Sequence, residues 1–276
     1  MRFQPKRYLK NVAREFAVFG KHGMPRGKPY IHEDKVIEKW LMRFGIEVGF
    51  YVDIAAGDGV TFSNTHFLMQ KGWKGLAVEV DPEKFFRLSL STLRYPGLNL
   101  CRCRVTPDNV VALLAANFVP KDFDLLSLDI DGYDHFVMSE ILSSGFRPKL
   151  LCIEINESVP PPIFFTVKYI EDHFWVGDHF FGQSLQAAVQ LCSTFGYNLA
   201  ELHYNNAFFL RSDLLNNPVV TPGEAWLRGY VLQPDRNKLF AGNAELACIF
   251  EMTSSEQLRF LKKLFEKYEG RFILTL

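Results

Sequence analysis

Between residues 49 and 156 a short apolar run rich in β-branched and aromatic residues recurs, each time separated from the next by a turn and a segment of helical spacing. The runs are GFYVDIA (49–55), GLAVEV (75–80), LNLCRCRV (98–105), DFDLLSLDI (122–130) and KLLCIEIN (149–156). The helical segments are 61–72, about 82–93, 109–118 and 135–145, and a further one at 184–196 follows the fifth run after a break. The runs are apolar in both phases, as strands covered on both faces must be. Strict alternation of strand and helix gives a mostly parallel sheet with right-handed crossovers. The predicted fold is α/β, with helices on both faces of the sheet.

Outside this region the pattern changes. Residues 33–44 carry Val36, Ile37, Trp40, Leu41 and Phe44 at helical spacing, and Gly45 closes that helix. Residues 157–183 contain Pro160, Pro161 and Pro162 and many aromatics, and read as a long loop, of which Phe164 to Phe181 form a lid over the acceptor or a segment packed on the sheet edge. Residues 198–204 and 207–213 read as a hairpin turning at Asn205 and Asn206, with an antiparallel last strand at the sheet edge. Residues 216–276 start irregular and end in a helix. The expected division is an N-terminal basic arm and helix (1–46), a Rossmann-like domain (47–215) and an extension packed on it (216–276).

The formal net charge is zero, which gives no global signal for nucleic acid or an acidic membrane. Residues 1–28 are nevertheless strongly basic, with Glu15 their one acid, and read as a solvated helix at the domain edge. No apolar run is long enough to span a bilayer. Five cysteines without CxxC spacing make neither a disulfide framework nor a zinc site, and fit reduced thiols in a cytoplasmic protein.

Four groups of residues carry the chemistry. Asp53-Ile54-Ala55-Ala56-Gly57-Asp58-Gly59 joins a strand to a helix, where backbone N–H groups face a ligand and glycine lets it approach. A carboxylate at Asp53 repels a pyrophosphate but suits a ligand bearing an ammonium and a sulfonium, as S-adenosylmethionine (SAM) does. Glu79 ends the second strand 22 residues after Gly57, the spacing of an acid that accepts from ribose hydroxyls, with Asp81 in reserve. Asp129 and Asp131 share a face at the end of the fourth strand, and Glu154 and Asn156 at the end of the fifth. Acids on apolar strands are costly unless they serve a ligand, although a helix N-cap could absorb one of them. Neighbouring strands would bring Asp129, Asp131, Glu154 and Asn156 to one spot, as hard oxygen ligands for Mg²⁺ or as a metal-free site for an acceptor's hydroxyls or amines.

These stretches resemble the FkbM-type, SAM-dependent methyltransferases. The likeness runs over about residues 47–213, through Val52–Gly59, Ser63-Asn64-Thr65, Gly72-Trp73-Lys74-Gly75, Val78-Glu79, Asp124–Gly132, Ile153–Asn156, Gly182-Gln183-Ser184-Leu185 and Asn206-Ala207-Phe208-Phe209. It implies a seven-stranded sheet with a reversed final strand, and methyl transfer from SAM, commonly to oxygen of a small-molecule or sugar acceptor. Asp53, Ala55, Gly57, Gly59, Glu79 and Asp129 are then expected at the cofactor. Asn64, Glu154 and Asn156 are expected at the acceptor. Ala55 stands where class I methyltransferases usually have the first glycine of this motif.

Methyl transfer needs a positioned acceptor, exclusion of water and a group to take the proton. Asp131 and His135 are the expected catalytic residues, with His66 a weaker base candidate. Two rivals remain at this point: a nicotinamide-dependent oxidoreductase, and a binding protein that kept the fold without turnover.

Overall fold

The computed structural model describes residues 31–214 and 220–276, so the basic arm lies outside the described residues. The elements run α1 (Glu33–Arg43), β1 (Phe50–Ile54), α2 (His66–Gln70), β2 (Lys74–Glu79), α3 (Pro82–Ser91), β3 (Leu98–Arg102), α4 (Val110–Ala116) and β4 (Asp122–Leu128). There follow α5 (Asp134–Ser143), β5 (Arg147–Glu154), β6 (Phe164–Val167), α6 (Leu185–Thr194), β7 (Tyr197–His203) and β8 (Asn206–Arg211). The remainder is helical except for one strand: α7 (Pro222–Trp226), a π-turn (Leu227–Val231), α8 (Arg236–Leu239), a 3₁₀ stretch (Ala241–Glu251), α9 (Ser254–Leu264), a 3₁₀ turn (Glu266–Tyr268) and β9 (Phe272–Thr275).

Seven strands form one sheet in the order β3-β2-β1-β4-β5-β8-β7. The pairs among β1 to β5 are parallel, and β8 runs antiparallel to both its neighbours. This is the Rossmann-like α/β layout with a reversed strand that the sequence led us to expect. The order reverses between β1 and β4, and open sheets of this kind bind ligands at the carboxyl ends of the strands beside such a switch point.

Side chains alternate across the strands and build a core on each face. Val52, Leu76, Leu126 and Leu151 pack on one side with Val110, Val137 and Ile141 from α4 and α5. Tyr51, Leu125, Leu150 and Phe208 pack on the other with Ile37, Trp40 and Leu68 from α1 and α2. Two helices end as the glycines foretell. Gly45 and Gly72 take φ of 69° and 79°, and Ile46 and Trp73 donate back to Leu41 O and Leu68 O (2.9 and 3.1 Å).

Four expectations are corrected. The reversed strand is not at the edge: β8 fills the space between β5 and β7, leaving β7 outermost. Every residue of β8 is buried, whereas β7 alternates. The hairpin turns at Tyr204 and Asn205, one residue earlier than predicted; Tyr204 takes the left-handed conformation (φ 54°), and His203 pairs with Asn206. The segment after β5 is not a plain loop, because β6 within it pairs antiparallel with β9. That pairing nucleates a third core in which Phe165, Phe180, Leu261, Phe265 and Leu274 are buried together. The helix predicted over 61–72 is reduced to α2, because Ser63 Oγ accepts from the N–H of Thr65 and His66 (3.2 and 3.1 Å) and holds the preceding residues in a turn.

Candidate functional site

The chemistry-bearing residues sit at the carboxyl edge of the parallel strands, where Ile54 is level with Val78 and Leu128, and Leu128 with Ile153. Asp53, on β1, is buried and accepts from Thr65 Oγ1 (2.6 Å). Burial raises its pKa to about 6 against the opposing Thr65 bond, and the Asp129 charge adds to the rise. Beyond it the chain turns through positive φ at Ala55 (71°), Gly57 (61°) and Gly59 (74°). The N–H groups of Ala55 and Ala56 both donate to Val78 O (2.9 Å each), which pins the turn to β2. A Cβ on Gly59 would come within 2.5 Å of Leu88 Cδ1, so glycine is needed there for close packing of the turn on α3.

Ala55 holds a conformation glycine accepts freely, and its methyl is exposed. A left-handed alanine costs roughly 1–2 kcal/mol, and the extra freedom of an unfolded glycine returns about 0.4–1 kcal/mol of that. Ala55→Gly is therefore expected to stabilise the protein by about 0.5–1 kcal/mol, read from the urea midpoint. An unchanged or lower midpoint would show that the alanine is not strained.

Glu79 ties the glycine turn to β2. Its carboxylate accepts from Gly57 N–H (2.9 Å) and Asp81 N–H (2.7 Å), which leaves lone pairs on both oxygens for a ligand. Asp81, the reserve candidate, is spent as the N-cap of α3, accepting from Glu83 and Lys84 N–H (2.8 Å each). Glu79, Ala55 and Asp129 line a cleft of about 340 Å³, whose apolar walls include Ile54, Val78 and Ile130. Its volume falls within the range of small-molecule sites. A cleft with apolar walls, a strand-end acid and carboxylates at its inner end fits an adenosine bearing a cationic sulfonium.

Asp129, Asp131 and Glu154 converge beside this cleft, and one oxygen from each lies within 4.8 Å of the others. Burial pushes all three carboxyls up, and repulsion from neighbouring carboxylates adds to the rise of Asp131 and Glu154. Asp131 is raised to about 8, by burial first and then by Asp129 and Asp134. Glu154 is raised well above the ordinary range by burial and the two aspartates, and Asp129 by burial. Such a cluster retains protons near neutrality unless a cation joins it. The helix-capping alternative does not apply to Asp129 and Asp131. Asp134 holds the turn instead, accepting from Ile130 N–H (2.8 Å) and Gly132 N–H (3.0 Å). Asp131 itself sits at φ 54°.

A second cavity, of about 430 Å³, opens on the far side of the cluster. Asp129, Asp131 and Trp175 line both cavities, so the cluster forms the partition between them. Asn64 lines the second cavity. Glu154 also lines it and is steadied by Asn205 Nδ2 (2.7 Å).

Asn156 is not part of the convergence. Its amide nitrogen donates to His179 O and Phe181 O (2.8 and 3.0 Å), and its oxygen accepts from Ser158 N–H and Oγ (3.2 and 2.9 Å). It is fully spent on the segment after β5 and cannot serve metal or acceptor. His135 also lies away from the partition. It sits against Gln183 (Nδ1 to Oε1, 3.0 Å) and Phe164 and lines neither cavity. Both ring nitrogens of His66 are engaged, with Gly59 O (2.8 Å) and Gln70 (3.0 Å).

The sequence reading missed His173. It is buried, lines the first cleft and has no hydrogen-bond partner at Nε2. Arg104 holds its backbone, donating to His173 O (2.5 Å) while its guanidinium lies 4.2 Å over the Phe174 ring. Phe174 and Trp175 are exposed at the mouth of the cleft. The aromatic segment divides between two places, with Phe165 and Phe180 in the third core and Phe174 and Trp175 lining the first cleft. No helix among the described residues is long and apolar enough to cross a membrane.

No family model and no curated protein matches the chain. Among solved structures it is similar to an S-adenosylmethionine-dependent methyltransferase from Clostridium acetobutylicum ATCC 824, with 14% identity over 72% of this chain and 98% of that one and a TM-score of 0.42. It is also similar to a SAM-dependent methyltransferase from Aquifex aeolicus, with 14% identity, 76% and 100% coverage and a TM-score of 0.37. A third is the N-terminal domain of EvdMO1 with SAH bound, with 10% identity, 64% and 78% coverage and a TM-score of 0.40. These likenesses are too distant to carry a conclusion about activity.

Proposed function

We propose that the protein is a SAM-dependent methyltransferase of FkbM type, acting on oxygen of a small-molecule or sugar acceptor. The observation that carries this reading is the pair of cavities meeting at Asp129 and Asp131. The first suits the cofactor and the second the acceptor, with carboxylates where the two would meet. When bound, SAM supplies a methyl carbon activated by its sulfonium. The chain's own residues do the rest. Glu79 accepts from the ribose hydroxyls, and Ala55 and Asp129 line the same cleft beside it, while Asp53 and the glycines shape the turn from behind. Phe174 and Trp175 keep water from the opening. Asp131, ionised when a cationic group joins the cluster, takes the proton as the acceptor hydroxyl becomes an ether oxygen. Positioning of this kind contributes roughly 7–11 kcal/mol of barrier lowering, and a general base about 10²- to 10⁴-fold in rate.

Calorimetric titration with S-adenosylhomocysteine tests the cofactor. Micromolar affinity, about −8 kcal/mol, is expected for the wild type, with at least about a tenfold loss in Glu79→Ala as two charged hydrogen bonds to ribose disappear. Absence of heat and of any thermal shift in the wild type would overturn the reading, as would binding of a nicotinamide cofactor instead. Binding of S-adenosylhomocysteine without transfer to any acceptor would favour the binding-protein alternative.

The Asp129–Asp131–Glu154 trio also has the oxygen donors a divalent cation takes. We favour the metal-free use of the site, since the fourth expected donor, Asn156, is committed elsewhere.

A further inference from the structure

We propose that the acceptor is a cationic molecule, held in the second cavity by an ammonium group. The inference rests on the methyltransferase reading for the word acceptor, but the site itself stands on the cavity's own lining. Glu33, Asp129, Asp131, Glu154, Glu157 and Asp178 all line it, and among the described residues no lysine or arginine does. Asp178 has a cation, since Lys267 Nζ lies 3.0 Å from it, and Tyr268 also donates to it. Glu33, Glu154 and Glu157 accept hydrogen bonds from neutral donors, although His179, which lines the same cavity, also acts on Glu157. Glu33 accepts from Ile31 N–H (2.9 Å) and Asn206 Nδ2 (3.4 Å), and Glu154 from Asn205. Lys84 acts on Asp129 and Asp131 only from the side of the first cleft.

Glu157 is the second, independent sign of a ligand. It is 4% exposed, and Asn243 Nδ2 donates to Oε1 (2.6 Å), but Oε2 has no hydrogen-bond partner among the described residues. A buried carboxylate oxygen left unpaired is expensive and marks a group waiting for a donor. An ammonium offers up to three N–H donors and a positive charge, whereas a sugar hydroxyl offers one donor and none. Aromatic faces complete the environment: Trp175 and Phe181 line the same cavity with their rings 5.5 Å apart. Carboxylates beside aromatic rings are the chemistry of organic-cation recognition. The volume of about 430 Å³ admits a molecule of sugar or short polyamine size.

The full chain, without cofactor, is titrated calorimetrically with glucosamine, spermidine, glucose and MgCl₂. At least one amine is expected to bind about tenfold or more tightly than glucose. Glucosamine then indicates an amino sugar, and spermidine an aliphatic amine. Glu157→Gln keeps the Asn243 bond and is expected to weaken that amine about tenfold, with its S-adenosylhomocysteine titration unchanged. Added salt weakens the wild-type amine complex without any substitution. Equal binding of glucose, silence of both amines, an unchanged Glu157→Gln variant, or Mg²⁺ as the one cation bound would each overturn the proposal. Loss of S-adenosylhomocysteine binding alone would defeat the cofactor reading and leave this cation site standing.

Discussion

Truncation of Phe165 to alanine is expected to lower the unfolding free energy by about 3–5 kcal/mol. Phe165 is fully buried at the centre of β6, with ring neighbours Phe265 (5.0 Å), Phe180 (5.9 Å) and Phe272 (6.1 Å). These rings come from segments far apart in sequence, so no nearby chain can close over the void. Against a total stability of about 5–15 kcal/mol, the loss is a large share. The damage is expected to be regional. The third core joins the segment after β5 to α9 and β9, whereas the two sheet cores are built from other residues. Urea unfolding should therefore show an early transition in the variant, with cleavage by a dilute protease near residues 170–180. Affinity for S-adenosylhomocysteine should fall with it, because that segment carries His173 and Phe174 to the first cleft. A change below about 1 kcal/mol would show that the third core contributes little.

Asp131→Asn is expected to act oppositely on stability and on catalysis. Asn tolerates the left-handed backbone of Asp131, so the turn survives. The replacement removes one carboxylate from a group that repels itself, and the gain is on the order of 2 kcal/mol. Its pH dependence follows from the folded carboxyl being raised to about 8 by burial, then by Asp129 and Asp134. In the unfolded chain the group ionises near pH 4. Below that, both states are protonated and the wild type carries no penalty. As pH rises from about 4 to about 8 the unfolded state loses its proton first, and the wild type loses stability from this group. Melting temperatures of the two proteins should thus diverge over that range and run parallel above it. Methyl transfer by the variant should fall by about 10²- to 10⁴-fold. Parallel melting curves throughout would sink the stability argument, and undiminished transfer would remove Asp131 as the base.

Local chemistry explains which features could be read in advance. The parallel region was legible because each strand is apolar in both phases and each break carries a glycine or a cap. Glu79 was legible because its distance from the glycine turn is set by one helix crossover. The place of β8 was encoded too, since the run from Asn206 to Arg211 is buried throughout and β7 alternates. The pairing of β6 with β9 had no such signal: four residues in an aromatic-rich segment become a strand only when a partner roughly 100 residues away is present. Asn156 was misjudged for a related reason. Its residue type and its position near a strand end suit a ligand, but the carbonyls and hydroxyl that occupy it belong to His179, Phe181 and Ser158. His173 escaped notice because nothing around it in sequence marks it as functional; its position depends on Arg104, reached from β3.

The pairing of β6 with β9 also sets an order of events during synthesis. The five parallel strands are all synthesised by Glu154, and their pairs with one another can close before β6 emerges. β6 emerges with its apolar face uncovered and waits for roughly 100 further residues, about 5–20 s at ordinary elongation rates. During that interval Phe165 and Phe180 have no β9 or α9 to cover them, and the edge of β6 is unpaired. A nascent chain stalled within this window is a natural client for a chaperone that shields aromatic surface, and a site where slow codons would raise the fraction lost to aggregation.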